Sequence, residues 1–349
     1  MVALHPLRVD VDASPVYELL LQLAVFVGRE ELGTFDVGPR WRSTQAVRCA
    51  PRVRRALERL GGASASWGQL LGLQATTGSA SVPAFLELID QTDPEEIQLH
   101  MLGFYAGSIA TRFRDAIPAA IQGNGKARTT ILEASEAEMP GTQAALRRLI
   151  ATPPATVKDL VLDVLSGWYE RIFSKDEAAV TTLLQDEARA RSTLRATDPE
   201  RLILIATGVR YVGQPGIDTV LLVPTLIMRP WLGVENYRHM RIYCYPILDD
   251  PELPDAVPPA LVRTYQALAN PARLRILKAL GDENLTVEQL ASRLGDQPDA
   301  IRAHLARLRV GRLVEIICAD DATYARRTDL LRVVGQPLRS YLQLRTTSS

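Results

Sequence analysis

Histidine and cysteine are scarce in this chain, and their scarcity removes several chemistries at the outset. Among 349 residues there are three cysteines and four histidines. Cys49, Cys244 and Cys318 stand far apart and form no pair-spaced motif, which suits a reducing cytoplasm better than a disulfide framework. His5, His100, His239 and His304 make no H-x-x-x-H and keep no ligand spacing to a cysteine, so no metal site is expected. Long apolar runs are missing too. Residues 16–27 come nearest, but they contain Glu18 and Gln22 and are too short to cross a bilayer, so no membrane partner and no signal peptide is expected. A G-x-S-x-G elbow is absent, and no paired carboxylates stand out from the helical charge pattern. Residues 123–126 read GNGK, half of a phosphate-binding loop. Ala120 replaces its first glycine, and Ala127 replaces the hydroxyl that would hold magnesium. Nothing positive supports an enzyme, and no cofactor is called for.

Net charge is zero, from 40 Lys+Arg and 40 Asp+Glu. That neutrality conceals a division. Residues 261–349 carry 14 basic against 9 acidic side chains, and the preceding 260 carry 26 against 31. A positive end on a slightly acidic body is the footprint of a chain in which one domain meets phosphate. The length suits two or three domains, and a hydrophobic content of 47% is enough to give them cores. Residues 249–260, opening DDPELPDAVPP, fit neither helical nor strand periodicity. They read as a linker between an N-terminal domain, residues 1–248, and a C-terminal one, residues 261–349.

Residues 261–313 hold three short amphipathic helices. Asn270 can cap the first and Pro271 can open it, with Leu274, Leu277 and Leu280 at helical spacing before Gly281. Thr286 and Gln289 form a T-x-x-Q capping box for the second, Leu290 and Leu294 sit four apart, and Gly295 follows. The third begins near Pro298 and puts Ile301, Leu305 and Leu308 on one face, leaving Ala300, Arg302, Ala303, Arg307 and Arg309 to point elsewhere. Two helices joined by a glycine-containing turn, the second presenting small and basic residues, are what entry into a major groove requires.

The segments ALANPARLRILKAL, TVEQLASRLG and IRAHLARLRVGRLVE resemble, in order and spacing, the winged-helix domain of ArsR-type transcriptional regulators. The resemblance covers residues 261–349. It implies a double-stranded DNA partner and a homodimer formed through the helix before the motif and the last helix. Leu261, Tyr265 and Leu268 on one, and Leu330, Val334, Leu338, Tyr341 and Leu342 on the other, supply apolar stripes, with Pro337 kinking the second. Such a dimer reads half-sites about 10 base pairs apart, or a multiple of that.

On this reading the start of the third helix offers Gln297, Asp299, Ala300, Arg302 and Ala303 to base edges, Arg302 being the expected reader of a base or phosphate. Arg307 and Arg309 are placed for phosphates, as are the amides beside Thr286. His304 occupies the histidine of the family's HL motif, where it orients the helix by a hydrogen bond or touches phosphate. VEIICADDATYARR matches the wing hairpin, with Arg326 and Arg327 entering or flanking the minor groove. Two features depart from the family. Ala300 and Ala303 stand where Ser or Thr is common, and Asp299 adds a negative charge, leaving fewer hydrogen bonds for sequence reading. The clustered cysteines of metal-sensing members are absent.

The body before residue 200 reads as predominantly helical. Ser14 and Pro15 open a helix with Val16, Leu19, Leu20, Leu23 and Val27 on one stripe. Residues 8–12, 202–206, 219–228 and 239–246 read as strands, with Pro224 marking an edge strand or bulge. The aromatics Trp168, Tyr169, Tyr211, Trp231, Tyr237, Tyr243 and Tyr245 either line a small-molecule pocket or pack a core. An SPxxE helix (Ser14, Pro15, Glu18), a P-x-FL segment (Pro83, Phe85, Leu86), the pair Trp168–Tyr169, the set Leu184, Glu187 and Arg191, and VPTLIMRPW resemble a long N-terminal module found in a subset of ArsR-type regulators. The resemblance supplies no function for it.

The expected fold is α+β and mostly helical, an N-terminal α+β domain followed by a C-terminal winged helix-turn-helix. The expected function is a cytoplasmic, dimeric, sequence-specific DNA-binding regulator, a repressor in sign, whose N-terminal domain senses a small-molecule effector or mediates assembly. The competing expectation is a protein-interaction scaffold whose winged helix serves dimerisation alone.

Overall fold

The computed structural model describes residues 7–28, 32–61, 64–106, 114–138, 143–248, 257–318 and 322–342. Its helices, in chain order, are α1 (Pro15–Val27), α2 (Trp41–Arg48), α3 (Pro51–Arg59), α4 (Ser64–Thr77), α5 (Val82–Gln91), α6 (Pro94–Met101), α7 (Ala116–Ile121), α8 (Gly125–Glu138), α9 (Gln143–Ala151), α10 (Pro154–Arg171), α11 (Glu177–Thr197), α12 (Pro199–Thr207), α13 (Pro259–Leu268), α14 (Pro271–Leu280), α15 (Val287–Leu294), α16 (Pro298–Val310), α17 (Thr328–Arg332) and α18 (Gln336–Tyr341). The strands are β1 (Arg8–Val11), β2 (Val209–Tyr211), β3 (Thr219–Thr225), β4 (Gly233–Tyr237), β5 (Met240–Pro246), β6 (Val314–Cys318) and β7 (Thr323–Arg326). The fold is α+β and mostly helical. No helix among the described residues is long and apolar enough to cross a membrane.

Two compact units emerge. One comprises Met1–Ser192, Ile217–Met228 and Gly233–Cys244, and the other Thr193–Gly216, Arg229–Leu232 and Tyr245–Ser349. The division therefore differs from a cut at residue 248, because the segment holding α12 and β2 belongs with the C-terminal unit. Most of the acidic, proline-rich linker, residues 249–256, lies outside the described residues.

In the first unit a four-stranded sheet runs in the order β1-β3-β5-β4. β1 pairs in parallel with β3, Val11 opposite Leu222, and β4 pairs antiparallel with β5. Pro224 is thus in an interior strand and not at an edge. It is tolerated because β1 reaches only as far as Leu222, leaving no partner on that side for the missing amide. Ser14 caps α1, its Oγ accepting from the Val16 amide at 3.4 Å, and Val16, Leu19, Leu20 and Leu23 are fully buried. Two of the motifs that resemble the regulators' N-terminal module meet here. The buried Glu18 carboxylate accepts from the Thr225 hydroxyl at 2.6 Å and from the amides of Leu226 and Ile227 at 2.9 and 2.8 Å. A desolvated carboxylate requires such donors, so the glutamate of SPxxE fixes the turn after β3. Trp168, Tyr237 and Tyr243 are at most 3% exposed and pack as core.

In the second unit residues 202–206 form the middle of α12, not a strand. Asp198 caps this helix, accepting from the Arg201 amide at 3.0 Å, and Gly208 ends it in a left-handed conformation at φ 72°. A five-residue apolar run carries no period of its own, so these two end signals decide its structure. Helices α14 to α16 then enclose a core of Ile276, Leu277, Leu280, Leu290, Ile301, Leu305 and Leu308. Leu274, counted with the apolar stripe of α14, is instead 49% exposed, and Ile276 fills the core position. Each buried Leu or Ile contributes about 1.5–3 kcal/mol relative to exposure. β6 and β7 form the antiparallel wing, and β2 adds a third strand in parallel with β6, Val209 opposite Ile316.

Candidate nucleic-acid interface

The local chemistry of the helix-turn-helix follows its caps. Asn270 accepts from the amides of Ala272 and Arg273 at 2.9 and 3.2 Å and starts α14. The box of Thr286 and Gln289 closes in both directions, at 3.2 and 2.8 Å, and starts α15. Gly295 ends α15 at φ 69°, a left-handed turn that lets α16 begin three residues later. Gln297 is the N-cap of α16 but makes no capping bond with its side chain.

With Ile301, Leu305 and Leu308 at 0% exposure against the core, the opposite side of α16 is open. Gln297, Asp299, Ala300 and Arg302 are exposed there, while Ala303, His304 and Arg307 are half-buried. Arg302 does not stand alone. Its Nη1 donates to Asp299 Oδ1 at 2.6 Å and its Nη2 to Glu288 Oε1 at 2.9 Å, Glu288 lying in the first turn of α15. Thr286 sits at that same helix end. Its own amide and that of Gln289 are used by the capping box, so a phosphate approaching there meets the Glu288 carboxylate. Burial, then the Arg273 charge, lowers the His304 pKa below the usual imidazole value, against a weaker pull from Asp296. Other arginines of the unit are also neutralised. Arg293 pairs with Glu283 at 2.8 Å and Arg275 with Asp296 at 3.8 Å.

Two residues behave differently from expectation. Arg309, read as a phosphate contact, is buried at 7% exposure. Its Nη1 donates to the Thr207 carbonyl at 2.6 Å and its Nη2 to the Pro230 carbonyl at 2.7 Å. Burial brings its pKa down to about 10. The sequence held a signal for this, since Arg309 lies four residues after Leu305 and so falls on the core face of α16. Gly208 makes room for it: a Cβ there would come within 2.7 Å of Arg309 Cγ. Arg326, read as a minor-groove residue, is tied back toward the end of α14. Its donors face Thr328 Oγ1 at 3.3 Å, the Leu277 carbonyl at 3.5 Å and Asp282 Oδ1 at 3.3 Å. Arg327 pairs with Asp329 at 3.6 Å. The wing tip with Asp320 and Asp321 lies outside the described residues. Sequence reasoning placed Asp299 and Arg302 on the same exposed start of α16 without pairing them, and it missed Glu288. Among the described residues no group of three or more His, Cys, Asp and Glu is placed to hold a metal ion.

The three helices and their glycine-containing turn define a helix-turn-helix, and residues 268–317 match the family described as helix-turn-helix domain. The chain is also similar to the HTH-type transcriptional regulator KmtR of Mycobacterium tuberculosis (strain ATCC 25618 / H37Rv), 37% identical over 62 residues. That stretch is 18% of this chain and 48% of the relative, so the chain spans about half the length of the curated protein it matches. No solved structure matches the chain.

Proposed function

We propose that this protein is a sequence-specific, DNA-binding transcriptional regulator of the ArsR type. It acts as a dimeric repressor whose N-terminal unit senses a small molecule or mediates assembly. The observation that carries the reading is the geometry of α16, buried on its Ile301, Leu305, Leu308 side and open along Gln297, Asp299, Ala300 and Arg302. Similarity of its surroundings to part of a transcriptional regulator adds support. Dimerisation is supported by apolar side chains left exposed in the C-terminal unit: Val262 on α13, Val333, and Tyr341 and Leu342 at the end of α18. Sensing draws on a groove in the N-terminal unit, largely open to solvent, with Phe26, Val27 and Leu57 as its apolar lining and Arg54, Arg148 and Glu58 as its charges.

The test is duplex binding by the intact chain to DNA upstream of its own coding region, measured across salt concentrations. Affinity falls steeply with salt, and Arg307→Ala lowers the slope by roughly one counterion, as expected for a phosphate contact. A salt-independent affinity, or none, refutes the reading.

A second reading keeps the winged helix for dimerisation without DNA. It draws on Arg302, whose charge two carboxylates cancel, and on Ala300 and Ala303, which offer no side-chain hydrogen bond. The same titration separates the two, because this reading requires no duplex binding at any salt concentration.

A further inference from the structure

We propose that Arg302 is a guanine reader whose fork is oriented by Glu288 and Asp299, which act as positioning residues. This inference rests on the regulator reading above. A guanidinium carries five N–H donors, two on each terminal nitrogen and one on Nε. Asp299 takes a hydrogen of Nη1 at 2.6 Å, and Glu288 takes one of Nη2 at 2.9 Å. One hydrogen therefore remains on each terminal nitrogen. A guanine reader requires these to be the two parallel hydrogens at the end of the fork, with Asp299 and Glu288 on the lateral ones, because that pair is what guanine O6 and N7 accept in the major groove.

The two carboxylates reach Arg302 from different helices. Asp299 stands one turn earlier on α16, and Glu288 is in the first turn of α15. The two ion pairs, both open to solvent, bias the guanidinium toward a place across the helix-turn-helix. An arginine already biased toward its binding geometry loses less rotamer entropy on contact than a free one.

Charge decides between base and phosphate. One cation paired with two carboxylates has no net positive charge to offer a phosphate, so what it contributes to binding is hydrogen-bond geometry and not charge. The remaining donors are therefore worth most against a neutral base edge. Ala300 and Ala303 beside Arg302 have no bulk to keep the helix from the groove floor. The features that reduce this helix's total hydrogen bonding thus concentrate its discrimination in one side chain.

The experiment is selection of bound duplexes from a library with randomised base pairs, using the full chain and four variants. Wild type enriches guanine at one position of each half-site. Arg302→Ala and Arg302→Lys lose that enrichment, by about 5- to 150-fold against the other bases, the range measured for one bidentate contact. The lysine variant keeps its charge, so its loss identifies the fork as the reader. Glu288→Gln and Asp299→Asn relax the guanine preference while affinity for unselected duplexes stays level or rises. Melting curves confirm that each variant is folded.

Retention of the preference in Arg302→Ala overturns the inference. So does a uniform gain in affinity without loss of preference in the Glu288 and Asp299 variants, since the carboxylates would then only repel. Failure of wild type to bind any duplex sinks the regulator reading and this inference with it, whereas binding with unchanged preferences sinks this inference alone.

Discussion

His100 and Glu235, both in the N-terminal unit, answer pH in opposite directions. His100 is 2% exposed, and burial followed by the Arg238 charge lowers its pKa to about 4. The unfolded chain takes up that proton near 6.5, so the stability carried by the neutral ring is complete above that value and is lost as pH falls toward 4. Glu235 on β4 has the reverse sign. Burial pushes its carboxyl up to about 7, against the hydrogen bond from Gln69. Its contribution is complete below about 4.5 and is lost as pH rises toward 7. Each slope approaches roughly 1.4 kcal/mol per pH unit, and the two oppose each other across the shared window. Urea unfolding of His100→Gln should leave stability falling with rising pH there, and Glu235→Gln should leave it rising. Parallel profiles in the two variants contradict the assignment. Neither residue declares itself in the sequence, because each shift comes from burial among elements distant along the chain. Arg302 and Asp299 were legible for the opposite reason, standing three apart on one helix.

At the scale of elements, the helix-turn-helix is the part that local sequence determines. Asn270, the Thr286–Gln289 box and Gly295 each act on neighbours within four residues, and each does so in the structure as its spacing implies. β2 could not be read in that way. Three residues, Val209 to Tyr211, gain their strand identity only from β6. The exposed apolar side chains on α13 and at the end of α18 make an element-level prediction. If they form the seam between two copies, Tyr341→Asp combined with Leu342→Asp gives a monomer by light scattering while the circular dichroism of the chain is unchanged. Both residues are largely open in the single chain, so folding does not depend on them. A variant that remains dimeric places the seam elsewhere.

For the whole molecule, the C-terminal unit is discontinuous in sequence. A fragment beginning at residue 257 lacks both carbonyls that receive Arg309, and it lacks Arg210, whose Nη2 lies 2.6 Å from the buried Glu315 carboxylate. The effect of Arg309→Met should therefore depend on context. In the intact chain it strands the Thr207 and Pro230 carbonyls, each costing about 1–3 kcal/mol, and the unit melts at a lower temperature. In the fragment those carbonyls and the Gly208 backbone that covers the side chain do not exist, the guanidinium is open to water, and the substitution leaves the midpoint nearly unchanged. An equal loss in both contexts contradicts the role given to Arg309.

The parallel pairing of Val209 with Ile316 also has a consequence in time. Translation proceeds at about 5–20 residues per second, so β2 leaves the ribosome roughly 5–20 s before its partner strand has been made. During that interval a nascent chain carries a strand with an open edge and a pair of carbonyls awaiting an arginine that is not yet synthesised. Assembly of the unit thus waits for the synthesis of β6, and a chain stalled or cleaved before β6 is left with that edge exposed to other chains.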